Sequence, residues 1–365
     1  MKAEFLTENI ELFIPLLSKI LPLHSQVPIL SNILIEAHDD GILMYATNLE
    51  VGVRVKIPGK ITEKGAITVP GKQLLEALSS FPKDKVVLQN DGDKMVIEGR
   101  GDRIVFQTIP KEEFPSIFEE RGEKLHVFKG KEFKDIFSSL VFAASLDEGR
   151  PELTGILMSQ KDNGADFVAT DGFRLSLRRV EALNIPFTES LILPAKLIIE
   201  ALTHDADELA MYVYKKSNQL IFESDNVTLV GRLIAGTFPN YEKVIPKSGK
   251  TKITLDVEEF SQKLRLVSIF ARDAANIVKA KILDGKLIMQ ARASGVGEGE
   301  MVMEGQQEGE SNEIAFNIKF LNDFLKNISA KSITLQVSSP VEPAVFKADN
   351  DISLTHVIMP VRVQE

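Results

Sequence analysis

The sequence contains no cysteine, and this absence removes several kinds of chemistry at once. Without cysteine there are no disulfides, no thiolate nucleophiles and no zinc sites built with cysteine ligands. Histidine is scarce, with five residues, and no pair has the spacing that places two metal ligands on one face of a helix. The sequence therefore predicts no structural metal and no cofactor.

Long apolar segments and an excess of positive charge are also missing. No apolar run reaches the length that spans a bilayer, and Met1-Lys2-Ala3-Glu4 places an acid where a secretory signal would be basic. These features predict a soluble, cytoplasmic protein with no membrane partner. The net charge of -9 counts against a nucleic-acid partner, because Lys and Arg supply phosphate binding.

The chain contains three copies of one long repeat. The segment 69–78 matches 193–202 and 316–325, so that Lys72, Lys196 and Lys319 share one position, 124 and 123 residues apart. A period of this length is far longer than a solenoid repeat, so each copy is a domain. A chain of 365 residues also exceeds the size of a single hydrophobic core. Three similar domains follow.

Other short motifs keep the same spacing. Ala46-Thr47-Asn48 lies 123 residues before Ala169-Thr170-Asp171, and Phe114-Pro115 lies 124 residues before Phe238-Pro239. Charged, proline-containing stretches at 112–124 and 246–252 lack periodicity and separate the copies. The predicted domains are therefore 1–122, 123–247 and 248–365.

Each copy opens with apolar residues at helical spacing, in stretches that begin at Ile10, Phe133 and Phe260. Thr7 and Asp256 are candidate helix caps. Strand-like runs separated by hairpin-type turns follow, at 29–36, 85–88, 104–109, 219–223, 227–234 and 333–337. Consecutive strands favour an antiparallel α+β fold, with two helices packed on sheets in each domain, over a doubly wound parallel sheet.

Two short motifs match the residue letters of known binding sequences, a glycine-rich phosphate loop and the Arg-Gly-Asp cell-adhesion tripeptide, but lack the context that either function needs. The glycine-rich segment 295–300 lacks the Lys-Ser/Thr of a phosphate loop and has Glu304 and Glu308 nearby, so a solvated acidic turn and strand is predicted. Arg100-Gly101-Asp102 lies between two strand-like runs and is predicted to be a hairpin turn.

The densest polar cluster is Thr170-Asp171-Gly172-Phe173-Arg174. In an enzyme Asp171 would act as a base, but no nucleophile or second positioned acid lies nearby in the sequence. An Asp-Gly turn followed by a returning strand explains the same residues.

The repeated lysines have two interpretations. Each has an acid four residues later, at Glu76, Glu200 and Asp323, which fits a surface i,i+4 ion pair. Alternatively, the equivalent helix faces converge on one polyanion. The sequence leaves both open.

The segments Ala169 to Leu175 and Val357 to Arg362 closely resemble the bacterial DNA polymerase III β subunit family, the sliding clamps. The resemblance runs end to end, with further matches at 27–33, 114–115, 238–241 and 338–340. It implies a processivity factor without catalysis of its own, which encircles double-stranded DNA as a head-to-tail homodimer of six similar domains. Helices would line the hole, so the ring can be acidic outside and basic within. DNA contacts should be loose and independent of sequence.

The resemblance also implies partners and a shared site. DNA polymerase, clamp loader and repair proteins would bind through short peptide motifs in a hydrophobic pocket between the second and third domains. The pocket residues that match by position are Leu153, Thr170, Gly172, Phe173, Arg174, Leu175, Pro239, Val244, Val357, Ile358, Met359, Pro360, Val361 and Arg362, with Ser339 at the rim. Apolar side chains would accept those of the peptide while Arg174 and Arg362 fix its polar atoms.

The resemblance and the repeat together nominate five DNA-facing residues: His24, Lys72, Arg150, Lys196 and Lys319. The sequence departs from the family at Lys243, where Arg is common, and in a tail extended by residues 363–365. Two other functions stay open. An enzyme or sugar-binding protein would need a deep site centred on Asp171 and Arg174, and a lining without convergent acids would count against it. A scaffold that does not encircle DNA would not need the helix lysines.

Overall fold

The computed structural model describes residues 1–22, 24–117, 121–181, 183 and 189–362. It divides into two compact units. Unit 1 comprises 1–133 and 196–233, and unit 2 comprises 134–195 and 234–365. The extended tail at 363–365 and part of the predicted joint at 112–124 lie outside the described residues.

The described residues form α-helices and antiparallel strands throughout. The helices are α1 Glu8–Glu11, α2 Ile14–Ile20, α3 Gly71–Ser80, α4 Gly130–Val141, α5 Ala195–Thr203, α6 Val257–Ala271 and α7 Ile318–Lys326. The strands of the first two copies are β1 Lys2–Leu6, β2 Asn32–His38, β3 Gly41–Thr47, β4 Val51–Ile57, β5 Lys60–Glu63, β6 Gly65–Pro70, β7 Lys85–Asp91, β8 Lys94–Gly99, β9 Asp102–Gln107, β10 Glu123–Lys129, β11 Gly155–Lys161, β12 Gly164–Thr170, β13 Arg174–Glu181, β14 Leu191–Pro194, β15 Glu208–Tyr214, β16 Gln219–Glu223 and β17 Val227–Arg232. Those of the third are β18 Thr251–Asp256, β19 Ile277–Leu283, β20 Lys286–Ala293, β21 Gly297–Glu304, β22 Gln306–Gly309, β23 Asn312–Asn317, β24 Ser332–Val337, β25 Ala344–Ala348 and β26 Asp351–Ile358.

Unit 1 contains two sheets. One has the order β5-β1-β7-β8-β9, and the other has the order β10-β15-β16-β17-β4-β3-β2-β6. In the larger sheet β17 pairs antiparallel with β4, with Leu229 opposite Val53. Strands from the first and second copies of the repeat therefore share one hydrogen-bonded sheet. A core that includes Phe128, Phe133 and Phe222, whose rings pack edge to face, lies within the unit.

Unit 2 also contains two sheets. The larger has the order β14-β11-β12-β13-β26-β25-β24-β18-β22, and the smaller has the order β21-β20-β19-β23. Strand β13 of the second copy pairs antiparallel with β26 of the third, with Arg174 opposite Ile358. Helices α6 and α7 bury Phe260, Leu264 and Phe324 in the core of the third copy. The α+β prediction is confirmed; the exact boundaries at 122 and 247 stay a prediction.

The start of the chain differs from the prediction of one opening helix. Helix α1 ends at Glu11 and α2 begins at Ile14, with Pro15 in its first turn. Proline has no N–H to donate to the carbonyl of Glu11, so a continuous helix would lack a hydrogen bond at that point. The predicted strand at 29–36 is also partly wrong, because Pro28–Ser31 forms a 3-10 turn before β2.

The two predicted helix caps have different outcomes. The Asp256 cap is confirmed, because its carboxylate accepts a hydrogen bond of 2.8 Å from the backbone N–H of Glu259. Thr7 occupies the N-cap position of α1, as predicted, but its side chain does not hydrogen-bond to the helix. Its hydroxyl donates instead to the carbonyl of Pro82 at 3.0 Å and accepts from the N–H of Asp84 at 3.1 Å, which links the start of α1 to the connection between α3 and β7.

The Arg100-Gly101-Asp102 motif and the glycine-rich segment at 295–300 both form turns, as predicted. Arg100 and Gly101 connect β8 to β9 with φ values of 50° and 93°. Gly295, with φ 77°, lies in the turn between β20 and β21, and the acidic residues that follow form the exposed face of β21.

Candidate functional site

The predicted Asp-Gly turn connects β12 to β13 in unit 2. The hydroxyl of Thr170 donates to the carbonyl of Arg174 at 2.6 Å and accepts from the N–H of Gly172 at 3.1 Å. One carboxylate oxygen of Asp171 accepts from the N–H groups of Phe173 and Arg174, each at 2.9 Å. Gly172 has φ 91°, a conformation that side chains disfavour. These hydrogen bonds satisfy the backbone of the turn and fix where β13 begins.

Arg174 is held by two carboxylates and two aromatic rings. Its Nε donates to Asp171 at 3.1 Å, and its Nη1 donates to Asp323 at 2.6 Å. The guanidinium carbon lies 5.5 Å from the ring centre of Phe142 and 4.7 Å from that of Phe320. Only 10% of the side chain is exposed. Two of its donor atoms are thus engaged within the protein, which limits the polar contacts that we expected Arg174 to offer a peptide.

A cavity of about 130 Å³ opens beside this turn, entirely within unit 2. The predicted pocket residues that line it are Leu153, Thr170, Gly172, Arg174, Leu175, Pro239, Val244, Val357 and Met359. Two further side chains contribute to the wall: Arg150, which was nominated as DNA-facing, and Tyr241. None of the described residues that line the cavity carries a carboxylate.

The remaining predicted pocket residues lie off this cavity. Phe173 is 61% exposed at the tip of the turn, and its carbonyl accepts a hydrogen bond of 2.8 Å from the N–H of Met359. Ile358 is fully buried in the core of the third copy, because neighbouring residues of a strand face opposite sides of the sheet. Pro360, Val361 and Ser339 are half-buried and Arg362 is exposed. The N–H of Val361 donates to the carbonyl of Ala315 at 2.8 Å.

The sequence prediction missed Tyr241. A 3-10 turn over Tyr241–Lys243 places Tyr241 and Val244 on one face, since residues three apart align in this helix. The Tyr241 hydroxyl donates to the buried carboxylate of Asp166 at 2.9 Å. Burial, followed by this carboxylate, raises the pKa of Tyr241, so its hydroxyl remains a donor. The signal that could have found it is the 238–241 match, which ends on this tyrosine.

Behind the cavity, His356 on β26 faces Ser176 on β13. Its Nδ1 lies 2.7 Å from the Ser176 hydroxyl, and its ring stacks on Phe324 with centroids 4.6 Å apart. Among the described residues, its Nε2 has no hydrogen-bond partner. Burial, and secondarily the charge of Arg174, lowers the pKa of His356 to about 3. The imidazole is therefore neutral at physiological pH and behaves as a core aromatic.

The geometry counts against the catalytic interpretation of Asp171. Its carboxylate already accepts from two backbone N–H groups and from Arg174. A deep site with convergent acids, which an enzyme or sugar-binding protein would need, is not present in the lining of this cavity. Within the described ranges, no cluster of His, Asp and Glu could hold a metal ion.

The other nominated DNA-facing residues are solvent-exposed. Lys72 on α3, Lys196 on α5, and His24 in the bend after α2 belong to unit 1, and Lys319 on α7 belongs to unit 2. Lys196 pairs with Glu50 at 2.8 Å. Arg150 donates to the carbonyl of Asp171 at 3.5 Å and borders the cavity. Their contact with DNA stays a prediction.

The i,i+4 interpretation of the repeated lysines is wrong for two copies. Glu200 pairs with Lys19 at 4.0 Å, and Asp323 pairs with Arg174 at 2.6 Å. Asp323 thus binds an arginine of another element at hydrogen-bond distance, whereas Glu200 only approaches Lys19, and its buried Oε2 has no hydrogen-bond partner among the described residues.

Comparison with known proteins agrees with this fold over nearly the whole chain. Models of the N-terminal, central and C-terminal domains of the DNA polymerase III beta subunit match residues 4–118, 127–240 and 242–362. The three matched ranges correspond to the three copies of the helix-and-sheet repeat. The chain belongs to the DNA polymerase III beta subunit family, the bacterial sliding clamps.

Individual relatives extend over the same length. The beta sliding clamp of Chlamydia pneumoniae is 28% identical over 351 residues, 96% of this chain and 95% of the relative. The crystal structure of the beta subunit from Thermotoga maritima has a TM-score of 0.90 at 26% identity, with both chains covered completely. A sliding clamp from Pseudomonas aeruginosa, solved bound to griselimycin, has a TM-score of 0.91 at 23% identity over both full chains, which shows the fold alone.

Among the described residues, no helix combines the length and the apolar character that crossing a membrane requires.

Proposed function

We propose that this chain is a DNA sliding clamp, a processivity factor that encircles duplex DNA as a head-to-tail homodimer and tethers DNA polymerase, clamp loader and repair proteins. The observation that carries the proposal is the threefold domain repeat of the clamp family over 4–362. Two such chains supply six similar domains, and a heterologous contact that closes gives a ring. Topology then retains DNA although the net charge is -9.

We further propose that the cavity beside the Thr170–Arg174 turn receives short peptide motifs of these partners. Its walls are mostly aliphatic, and the adaptable Met359 and the rigid ring of Tyr241 can accept apolar side chains. Arg150 and Arg174 border the cavity, so its charged lining residues disfavour a cationic ligand. The clamp has no catalysis of its own in this proposal, and it acts in the cytoplasm, where chromosomal DNA is replicated.

Peptide binding is tested by fluorescence anisotropy with a labelled peptide that contains Gln-Leu-x-Leu-Phe, the type of motif the family binds. The double variant Val244→Ala, Met359→Ala removes two walls of the cavity without touching the Arg174 ion pairs. We expect saturable binding to the wild type and at least tenfold weaker binding to the variant, because several buried methyl and methylene contacts are lost.

The matched control is Val341→Ala, because Val341 is 63% exposed and lies outside the cavity. It should bind as the wild type does. Equal affinity of the wild type and the double variant would reject this cavity, and no binding to either would reject the peptide function.

DNA encirclement is tested with the variant Lys72→Gln, Lys196→Gln, Lys319→Gln in a primer-extension assay at several salt concentrations. Loss of three phosphate-facing charges should shorten the products and reduce the salt dependence. The control replaces three exposed lysines outside helices, Lys94, Lys216 and Lys286. Unchanged processivity would favour a scaffold that does not encircle DNA. Sedimentation of the wild-type chain checks the dimer.

A further inference from the structure

Helix α7 contacts the cavity wall although it contributes no side chain to the cavity lining. Phe320 and Asp323 lie three residues apart on this helix, so they share one face. The ring of Phe320 lies 4.7 Å from the guanidinium carbon of Arg174. The carboxylate of Asp323 accepts from Nη1 of Arg174 at 2.6 Å, and its side chain is 40% exposed. The helix thus restrains the cationic group that borders the cavity.

The two carboxylates restrain different parts of Arg174. Asp171 binds Nε, close to the aliphatic stem, at 3.1 Å, and it also fixes the backbone of the turn. Asp323 binds the far end of the planar group and therefore fixes its rotation. A charge-assisted hydrogen bond to a guanidinium is about twice as strong as a neutral one. Without Asp323, only the ring faces of Phe142 and Phe320 would restrain the end of the side chain.

We propose that Asp323 is a positioning residue for the peptide cavity: it does not touch the peptide, but it holds the guanidinium of Arg174 in the orientation that forms the cavity wall. This inference rests on the proposed peptide function. An Arg174 side chain that is free to rotate can enter the small cavity, and binding must then first immobilise it again. Removing Asp323 should therefore weaken peptide binding from outside the site.

The test uses the full-length dimer, the labelled Gln-Leu-x-Leu-Phe peptide and two substitutions. Asp323→Asn keeps the size and an acceptor oxygen but removes the charge, whereas Asp323→Ala removes both. We expect the dissociation constant to rise about threefold for Asn and about tenfold for Ala. The control is Glu259→Gln on α6, whose side chain is 42% exposed and pairs with Lys263 at 4.0 Å, away from the cavity. It should bind as the wild type does.

A double-mutant cycle separates positioning from a general loss of structure. If Asp323 acts through Arg174, then Asp323→Ala combined with Arg174→Ala should bind no more weakly than Arg174→Ala alone. If the two substitutions each weakened peptide binding independently, so that their fold-losses of affinity multiplied, the proposal would be overturned. Wild-type affinity in Asp323→Ala would also overturn it.

A second readout does not depend on the peptide. The Nε–H resonance of Arg174 should show increased motion in Asp323→Asn relative to the wild type, with Glu259→Gln as the same control. Increased motion without any loss of peptide affinity would overturn positioning. Failure of the wild type itself to bind the peptide would instead overturn the proposed peptide function, and with it the role that rests on it.

Discussion

Two turns at equivalent positions of the repeat, Thr47 to Val51 in unit 1 and Thr170 to Arg174 in unit 2, use the same hydrogen bonds. Thr47 donates to the carbonyl of Val51 at 3.1 Å, as Thr170 does to that of Arg174 at 2.6 Å. Asn48 accepts from two backbone N–H groups at 3.0 and 2.8 Å, as Asp171 does at 2.9 Å. The backbone of the two turns is therefore stabilised by equivalent side-chain hydrogen bonds.

The side chains on that backbone differ. In unit 1 the left-handed position is Leu49, with φ 73°, and the strand begins with the buried Val51. In unit 2 the corresponding residues are Gly172 and Arg174. Glycine leaves the space beside the turn open, and the spare oxygen of Asp171 binds the arginine. The two turns thus share their backbone hydrogen bonds, and only the turn of unit 2 contributes side chains to the candidate site.

Lowering the pH should produce the largest difference in folding stability between the two units. Four of the five histidines lie in unit 1 and are exposed or half-buried, whereas His356 in unit 2 is buried beside Ser176. Its pKa is lowered to about 3 from 6.5, so the unfolded chain binds the proton that the folded chain does not. Stability that is present above pH 6.5 is lost as the pH falls toward 3, at about 1.4 kcal/mol for each pH unit.

The measurement is an NMR titration of the histidine ring signals, combined with thermal unfolding of the same samples. The His356 signal should stay at its neutral position from pH 7 to about 4, while the unfolding midpoint falls. Titration of His356 near pH 6 would contradict its buried, neutral state.

The next largest effect is expected from removing the capping side chain of each turn. Asn48→Ala leaves two N–H groups without their acceptor and should destabilise unit 1 by about 1–2 kcal/mol. Asp171→Ala has the same effect on its turn and also removes one carboxylate from a largely buried arginine, so about 2–4 kcal/mol is expected. Thermal unfolding of both variants measures this. Equal shifts of the unfolding midpoint in the two variants would mean that the Asp171–Arg174 ion pair adds nothing to stability.

A smaller contrast concerns the left-handed position. Gly172→Ala should destabilise unit 2 by about 1 kcal/mol, because alanine at φ 91° is strained. A Cβ there would meet only the guanidinium of Arg150, at 3.5 Å, so steric overlap is not the cause. Leu49→Ala keeps a side chain at the same φ and removes one that is 56% exposed, so its unfolding midpoint should stay close to that of the wild type.

The smallest effect on stability is expected at Glu50. It occupies the position in the unit 1 turn that Phe173 occupies in the unit 2 turn. Its ion pair with Lys196 has both side chains 58% exposed. Such pairs contribute about 0–1 kcal/mol, so Glu50→Gln should shift thermal unfolding very little, and a large loss would reveal a structural role.

Much of the architecture was predictable because it depends on local and periodic signals. The threefold repeat is a property of the linear chain, as are the amphipathic helices, the Asp256 cap and the Asp-Gly turn. Most of the lining residues were predicted from the family resemblance, and most of these lie in two short segments, Ala169 to Leu175 and Val357 to Arg362. Neighbouring residues of a strand face opposite sides of the sheet, so Val357 lines the cavity whereas Ile358 is buried in the core.

By itself, the sequence determined the number of domains, their class and the turn on which the candidate site is built, since each follows from neighbouring residues. Only the tertiary structure decided what surrounds Arg174. Asp323 follows it by 149 positions and reaches it only because β13 pairs with β26 in the sheet of unit 2. Tyr241 and Asp166 meet across 75 positions. Contacts of this kind depend on how sheets and helices pack, and sequence spacing carries no signal for them.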